Sequence, residues 1–176
     1  MSVAKRRPDI SDLRCLDVGD GAAYQVLRLM MLQESATAFS SDYEDARSLG
    51  LEHFIDRVRF EADNFIIGAF DEAQLIGSAG GYRERGAKRC HIATVWGMYV
   101  YPTYRGRGLG RDLLQAVVGD LRKLDGIERI LIGVTAGNSA AEALYASCGF
   151  VTYGTEPGAI KVQGNDYSEV LMQLTF

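Results

Sequence analysis

The stretch that decides the fold is residues 96–118, WGMYVYPTYRGRGLGRDLLQAVV. A short apolar run ends at Tyr101, and Pro102 stops it. A glycine-rich turn runs from Arg105 to Gly110. Apolar residues then return at helical spacing, with Leu113, Val117 and Leu121 on one stripe and Leu114 and Val118 beside it. The pattern predicts a strand, a tight glycine loop and a helix. Such a junction directs backbone N–H groups and a helix N-terminus at one point, which suits a phosphate.

The composition is that of an ordinary globular protein. The chain has 176 residues, 47% of them hydrophobic and 24% charged, and one domain of this length can bury a large core. We therefore expect a single domain over residues 1–176, with an irregular N-terminus at about 1–10. The net charge of −4 disfavours a general nucleic-acid binder, which is usually basic. The apolar runs are too short to span a membrane or to form a signal peptide.

Cysteine and histidine are few. Cys15, Cys90 and Cys148 contain no Cys-x-x-Cys pair, and their number is odd. This indicates reduced thiols in a cytoplasmic protein and disfavours a disulfide framework or a zinc site. The histidines, His53 and His91, lie far apart in sequence, so we expect no metal.

The remaining periodicities predict a mixed sheet with helices. Asp20 is a plausible N-cap for the first helix, and Gly149 is a plausible C-terminal stop for the last. Residues 35–50 are polar, and we interpret them either as a solvated connection or as a flap whose acidic groups would suit a cationic acceptor. The predicted strands are 13–18, 64–70, 73–82, 90–101, 129–135, 150–155 and 170–176, and the predicted helices are 22–34, 51–60, 108–123 and about 139–148.

The glycine loop differs from two familiar phosphate-binding motifs. A P-loop requires Gly-x-x-x-x-Gly-Lys-Ser/Thr, and no Lys-Ser or Lys-Thr follows these glycines. The dinucleotide fingerprint requires Gly-x-Gly-x-x-Gly. Here Gly106, Gly108 and Gly110 alternate, and the sixth position is Arg111.

Two blocks resemble the GNAT family of N-acetyltransferases. Arg105-x-x-Gly108-x-Gly110, between a strand and a helix, resembles the family's acyl-CoA-binding motif. A second block downstream resembles another family segment: Asn138-x-x-Ala141-x-x-Leu144-Tyr145-x-x-x-Gly149-Phe150. The resemblance covers about residues 10–176, although the N-terminal half carries it by topology alone.

The resemblance implies an α/β (α+β) fold, the single-domain acyl-CoA N-acyltransferase fold. Its mixed, mostly antiparallel sheet would have about seven strands and be flanked by about four helices, and a splayed parallel strand pair would hold the cofactor. It also implies transfer of acetyl from acetyl-CoA to a primary amine by direct attack in a ternary complex. The acceptor is open, a small molecule or a protein amine, and a homodimer is compatible with the sequence. The alternative is a non-catalytic acyl-CoA-binding or sensor module.

The resemblance also assigns site residues. The pyrophosphate would lie on the N–H groups of residues 106–111, and the side chains of Arg105 and Arg107 would either add charge or point to solvent. The backbone of Met98 and Val100 would hold pantetheine and thioester, and the Met98 N–H would stabilise the oxyanion, with Gly97 as a bulge position. Tyr145 would be the general acid. The implied cofactor-binding residues are Met98, Val100, Arg105, Gly106, Arg107, Gly108, Gly110, Arg111, Asn138 and Tyr145.

The general base departs from the family pattern. Several family members carry Glu or His at the positions that Thr94 and Trp96 occupy here, and neither of these can act as a base. The remaining candidates are His91, Glu84 or a water chain reaching them. Trp96 is either a core residue or a wall of the acceptor pocket.

Overall fold

The computed structural model describes residues 13–176, so the irregular start predicted at 1–10 lies outside the described residues. The strands are β1 Leu13–Cys15, β2 Asn64–Asp71, β3 Gln74–Arg83, β4 Ile92–Val100, β5 Arg129–Thr135, β6 Val151–Val162 and β7 Asn165–Thr175. They form one seven-stranded sheet in the order β1-β2-β3-β4-β5-β7-β6, and β4–β5 is its parallel pair. The other neighbouring strands are antiparallel. The mixed, mostly antiparallel sheet is therefore confirmed.

Helices cover both faces of this sheet. They are α1 Gly21–Glu34, α2 Tyr43–Ser48, α3 Leu51–Val58, α4 Leu109–Arg122 and α5 Ser139–Ser147. On one face, α1 and α3 bury Leu27, Met31 and Phe54 in a cluster with β2 and β3 side chains. On the other, α4 buries a stripe in a second cluster: Leu113, Leu114, Val117 and Leu121. Because helices cover both faces of β2 and β3, nearly all residues of these two strands are buried, and most are apolar or glycine. None of the helices in residues 13–176 is long and apolar enough to cross a membrane.

A bulge in β4 changes which side chains face each layer. Ser78 of β3 pairs with Tyr99, while Gly80 pairs with Trp96, so Gly97 and Met98 together oppose one residue of β3. Side chains alternate along a strand, and one extra residue reverses the alternation. Ala93 and Val95 face the α4 cluster before the bulge. After it Met98 and Val100 pack there instead, and Gly97 has a φ of +61°.

The parallel strands β4 and β5 separate shortly after they begin. Their pairing covers Ile92 with Arg129, Ala93 with Ile130 and Thr94 with Leu131, and it ends there. Both strands continue, β4 to Val100 and β5 to Thr135. The splayed parallel pair expected from the resemblance is confirmed, and it leaves an opening between the second halves of the two strands.

The structure corrects three local predictions. Residues 35–50 are not a plain loop, because α2 forms within them and Asp42 caps it by accepting from the N–H groups of Glu44 and Asp45. The structure therefore has five α-helices in residues 13–176 where about four were expected. Asp20 does not cap α1 with its side chain, which instead pairs with Arg14.

The third correction concerns the end of the chain. The predicted strands at 150–155 and 170–176 leave residues 157–166 in a connection between them. Apart from the turn, these residues belong instead to β6 and β7, which form one long hairpin with register shifts after Thr152 and Glu156. The shifts let Pro157 and Gly158 remain in an edge strand, where proline is tolerated. The turn lies at Gln163-Gly164, both with positive φ.

Candidate active site

Three adjoining cavities lie along β4. The loop cavity, about 670 Å³, lies beneath the glycine loop between β4 and α5. The interstrand cavity, about 480 Å³, occupies the opening between β4 and β5. Both are lined by Met98, Asn138 and Tyr145. The arginine cavity, about 540 Å³, lies on the other side of Trp96 and Gly97, which also line the interstrand cavity.

The glycine loop presents unpaired backbone amides to the loop cavity. Gly106 and Gly108 have backbone φ angles of +73° and +91°, which residues other than glycine rarely adopt. Gly108 immediately precedes the first residue of α4. Within the described part of the chain, the N–H groups of residues 106–110 donate to no other protein group. Their concentration at a helix N-terminus fits an anion such as a phosphate.

The three arginines of the motif lie in different surroundings. Arg105 donates from Nε to the Val100 carbonyl at 2.9 Å and from both Nη atoms to Glu34 at 3.0 and 2.7 Å. Arg107 donates to the Thr103 carbonyl and does not line the loop cavity. Arg111 lines it and donates to Ser147 Oγ at 3.0 Å. Arg105 is thus mainly engaged with the protein itself.

The bulge leaves two residues of β4 without a register partner. Gly97 and Met98 have no register partner in β3, and pairing with β5 has already ended at Thr94. Met98 lines both the loop and interstrand cavities. Val100 lines the loop cavity, but it is paired with Gly77, and its carbonyl accepts from Arg105.

Asn138 and Tyr145 meet at the junction of the loop and interstrand cavities. The Asn138 side chain accepts from the Ala141 N–H at 3.3 Å, so it caps α5, and its amide nitrogen is left for another partner. Tyr145 is 6% exposed, and burial raises its pKa to about 12. Its hydroxyl donates to no protein group within residues 13–176. It is therefore a protonated phenol with an unused donor at the cavity wall.

The two base candidates are placed very differently. Glu84 lines the interstrand cavity, accepts from Thr94 Oγ1 at 3.1 Å and lies 3.5 Å from Arg89. His91 precedes β4 and lines none of these cavities. His91 lies seven positions before Met98, about 20 Å along a strand. The structure brings Glu84 toward the predicted site and keeps His91 away from it.

Sequence reasoning missed Glu169 of β7. Its carboxylate lies over Gly133 of β5, where a side chain at that glycine would collide with it, and it lines the interstrand cavity. Burial raises the pKa of Glu169, and Glu156, its cross-strand partner in β6, raises it further. The one signal in the sequence was a glycine in the middle of the apolar β5 strand, which marks a close approach by another group.

The segment after α1 covers the cavities. A short helical turn, Ala36–Ala38, is tied to β5 because Thr135 Oγ1 donates to the Thr37 carbonyl at 2.6 Å. Phe39 lines all three cavities. The acidic groups of α2 lie elsewhere, since Asp42 caps the helix and Glu44 pairs with Arg47 at 3.2 Å. The flap interpretation is therefore favoured, but its acidic residues do not line these cavities.

Sequence reasoning also missed a pair of arginines. Arg28 of α1 and Arg57 of α3 line the arginine cavity. The Arg57 guanidinium lies 4.3 Å above the Trp96 ring, and Trp96 itself lies against Gly80, where a Cβ would collide with the indole. Trp96 is thus a wall between the arginine and interstrand cavities. In the described residues, histidine, cysteine, aspartate and glutamate form no group of three that could hold a metal.

The chain is similar to known proteins. The chain matches the model of the Acetyltransferase (GNAT) family over residues 28–150. A mycothiol acetyltransferase from Salinispora tropica is 30% identical over 121 residues, which cover 68% of this chain and 39% of the relative. The match thus spans about two fifths of that relative's length.

Solved structures agree in fold. An acetyltransferase of the GNAT family from Streptococcus pneumoniae superimposes with a TM-score of 0.85 at 20% identity, over 93% of this chain and 98% of the other. A Salmonella typhimurium protein solved with its cofactor acetyl-CoA gives 0.80 at 22% identity, over 93% and 92%.

The splayed parallel pair and the unpaired amides before α4 define an acyl-CoA N-acyltransferase fold, as the resemblance implied. The match over residues 28–150 specifies the group within that class. The chain belongs to the GNAT family.

Proposed function

We propose that this protein is an N-acetyltransferase that transfers the acetyl group of acetyl-CoA to a primary amine. The observation that carries the proposal is the opening between β4 and β5, which joins the loop cavity to the interstrand cavity. Unpaired amides for an anion lie at one end of this space, and a protonated phenol lies at its middle. A thioester bound through a phosphate-bearing arm fits that arrangement.

The donor would be held largely by backbone groups. The N–H groups of residues 106–110 would bind the pyrophosphate, and Arg111 adds charge at the same cavity. The Met98 backbone would bind the thioester carbonyl, because Met98 has no register partner in β3 or β5. The free amide nitrogen of Asn138 would contact the pantetheine arm. Direct contacts from Arg105 and Arg107 to phosphate stay predictions.

The chain's own groups can supply the proton transfers. As the amine nitrogen bonds to the acetyl carbon and the carbon–sulfur bond breaks, the Met98 N–H would stabilise charge on the carbonyl oxygen. Tyr145 would give its proton to the departing thiolate and recover one from solvent. Glu84 or Glu169, both at the interstrand cavity, would take the amine proton directly or through water. Direct attack therefore needs no covalent enzyme intermediate.

The test compares wild type with Tyr145→Phe. Purified protein, acetyl-CoA and a panel of amines should release free thiol, and the variant should lower kcat by about 10²-fold or more with little change in KM for acetyl-CoA. Tyr153→Phe is the control, because Tyr153 lies at the cavity margin and is half exposed.

The opposite results favour the second candidate. Thr94 stands where several family members carry a base, so a non-catalytic acyl-CoA-binding module is the alternative. Tight CoA binding by calorimetry, with no thiol release for any amine, would support it. A cytoplasmic location stays a prediction that rests on cysteine usage. A homodimer also stays a prediction.

A further inference from the structure

Arg28 is a buried cation without an acidic partner. It is 9% exposed, donates from Nη2 to Ser41 Oγ at 2.8 Å and contacts Met31 Sδ at 3.3 Å. No carboxylate of residues 13–176 forms a salt bridge with it. A guanidinium has five N–H donors, and a hydroxyl and a thioether neutralise none of its charge. Buried charges are normally paired, so Arg28 is suited to an anion that is not part of this chain.

Arg57 brings a second positive charge to the same cavity. It is exposed and stacks on Trp96 at 4.3 Å, which orients the guanidinium. The nearby Asp56 carboxylate is paired with Arg59 at 3.0 Å. A further cavity of about 530 Å³ adjoins this one, and Asp42 and Asp45 line it. Asp42 accepts from backbone amides of α2, and Asp45 forms no salt bridge with Arg28 or Arg57. Two cations therefore converge on an open cavity whose acidic groups do not neutralise them.

The arginine cavity lies beside the predicted reaction centre. A Cβ built at Gly97 would be 4.0 Å from Arg28 Nη1, and Gly97 precedes Met98 in the bulge. Across Trp96 and Gly97 the interstrand cavity carries Glu84 and Glu169. The lining charge thus changes from positive to negative over the width of one strand.

We propose that the acceptor is a small zwitterionic amine, an amino acid whose carboxylate binds Arg28 and Arg57. Its amine then lies at Gly97–Met98, toward the acidic side of the site. The inference rests on the proposed N-acetyltransferase function and names the substrate class. It differs from the expectation of a cationic acceptor, since a polyamine would place positive charge against two arginines. A protein N-terminus lacks the required anion.

The experiment compares acids with their matched amides. Wild-type protein and acetyl-CoA are assayed by thiol release with the common L-amino acids, β-alanine and 4-aminobutyrate, each beside its carboxamide, and with spermidine. At least one acid should exceed its carboxamide in kcat/KM by on the order of 10- to 100-fold, the usual effect of losing a buried charge-assisted hydrogen bond.

Three variants locate the preference. Arg28→Met and Arg57→Gln should each remove most of the acid-over-amide ratio and leave KM for acetyl-CoA unchanged. Arg47→Gln is the matched control, because Arg47 is exposed, pairs with Glu44 and lines none of these cavities. Arg28→Met should also melt at the same or a higher temperature, since it removes an unpaired buried charge. If Arg28 had only a structural role, replacing it would lower the melting temperature.

The results separate the two proposals. If acids and amides are used equally, or if the preference survives in both arginine variants, the carboxylate site is overturned and the acetyltransferase stands. If Arg28→Met fails to fold, Arg57→Gln alone decides. If no amine is turned over while calorimetry shows that acetyl-CoA binds, the proposed function is overturned, and the acceptor assignment with it.

Discussion

Arg105 shows how a motif residue can serve a different purpose from the one its charge indicates. The sequence places it at the start of a phosphate-binding loop, but all of its nitrogens donate to protein groups, two of them to Glu34. Tyr99 also donates to Glu34, at 2.7 Å. The end of α1, the end of β4 and the loop are thereby joined at one carboxylate. Glu34 is 71 residues away in sequence, so no local pattern could reveal this contact.

The structure changes which residue is the best candidate for the general base. A useful base needs a pKa near the operating pH. Glu84 is already engaged by protein groups, since it accepts from Thr94 Oγ1 at 3.1 Å and lies 3.5 Å from Arg89. The pKa of Glu169 is raised by burial and by Glu156. Glu169 is therefore the better candidate, and a deprotonated Glu169 is lost as the pH falls through that raised pKa.

We expect Glu169→Gln to lower kcat/KM by about 10²-fold. The variant should also lose the acidic limb of the pH profile, which in wild type should lie above the ordinary glutamate pKa near about 4.3. Glu84→Gln should keep the limb. Thiol-release assays from pH 4.5 to 9, at saturating acetyl-CoA, measure both. A limb that vanishes in Glu84→Gln and persists in Glu169→Gln would reverse the assignment.

Among the elements, those with a strong local signal were predicted well and those set by distant contacts were not. The apolar stripe of α4 and the alternating glycines located the strand-loop-helix unit, because spacing alone specifies it. The helix α2 was missed because six residues carry little periodicity, and its cap at Asp42 resembles any polar turn. The β6–β7 hairpin was missed because Pro157 and Gly158 interrupt its pattern, and the register shifts that accommodate them depend on β7.

The candidate site, like the fold, was predictable where its residues lie in contiguous segments. The loop amides, Met98, Asn138 and Tyr145 come from two contiguous segments, and the structure brings them to adjoining cavities. Glu169, Arg28 and Arg57 reach the site from β7, α1 and α3, and they belong to no motif. The residues of the proposed donor site lie in two motifs that are visible in sequence, whereas those of the proposed acceptor site are brought together only by tertiary packing.

The β4 bulge is the element on which both halves depend. Gly97→Ala should destabilise the protein by about 1–2 kcal/mol, because a φ of +61° is costly with a Cβ. It should also lower kcat by more than that stability loss explains, since the Met98 backbone would move. Urea unfolding and thiol release on the same preparations measure the two effects.

Gly119→Ala provides the control. Gly119 lies in α4, with open space at the Cβ position and no positive φ. Alanine there should stabilise the helix by up to about 1 kcal/mol and leave kcat unchanged. If Gly97→Ala behaves like Gly119→Ala, the bulge does not require its glycine conformation.

The whole molecule buries several phenols, and this sets its response to alkaline pH. Burial raises the pKa of Tyr24 and Tyr99, and it raises that of Tyr145 to about 12. Tyr24 belongs to the α1 face of the sheet and Tyr145 to the α4 face. Each side of the sheet therefore contains a tyrosine that must lose its proton on unfolding at high pH.

The sign follows from proton linkage. A folded-state pKa above the unfolded value of about 10 means that the folded protein holds the proton more tightly. The stability that this proton contributes is therefore fully present below pH 10 and is lost as the pH rises.

For Tyr145, with a folded pKa of about 12, the loss of stability should be about 1.4 kcal/mol by pH 11 and about twice that above pH 12. Urea unfolding at pH 9, 10 and 11 measures it. Tyr145→Phe should lose correspondingly less stability over this range, whereas Tyr153→Phe, at a half-exposed position, should follow wild type. Parallel curves for wild type and Tyr145→Phe would mean that the Tyr145 hydroxyl is solvated and that burial does not raise its pKa.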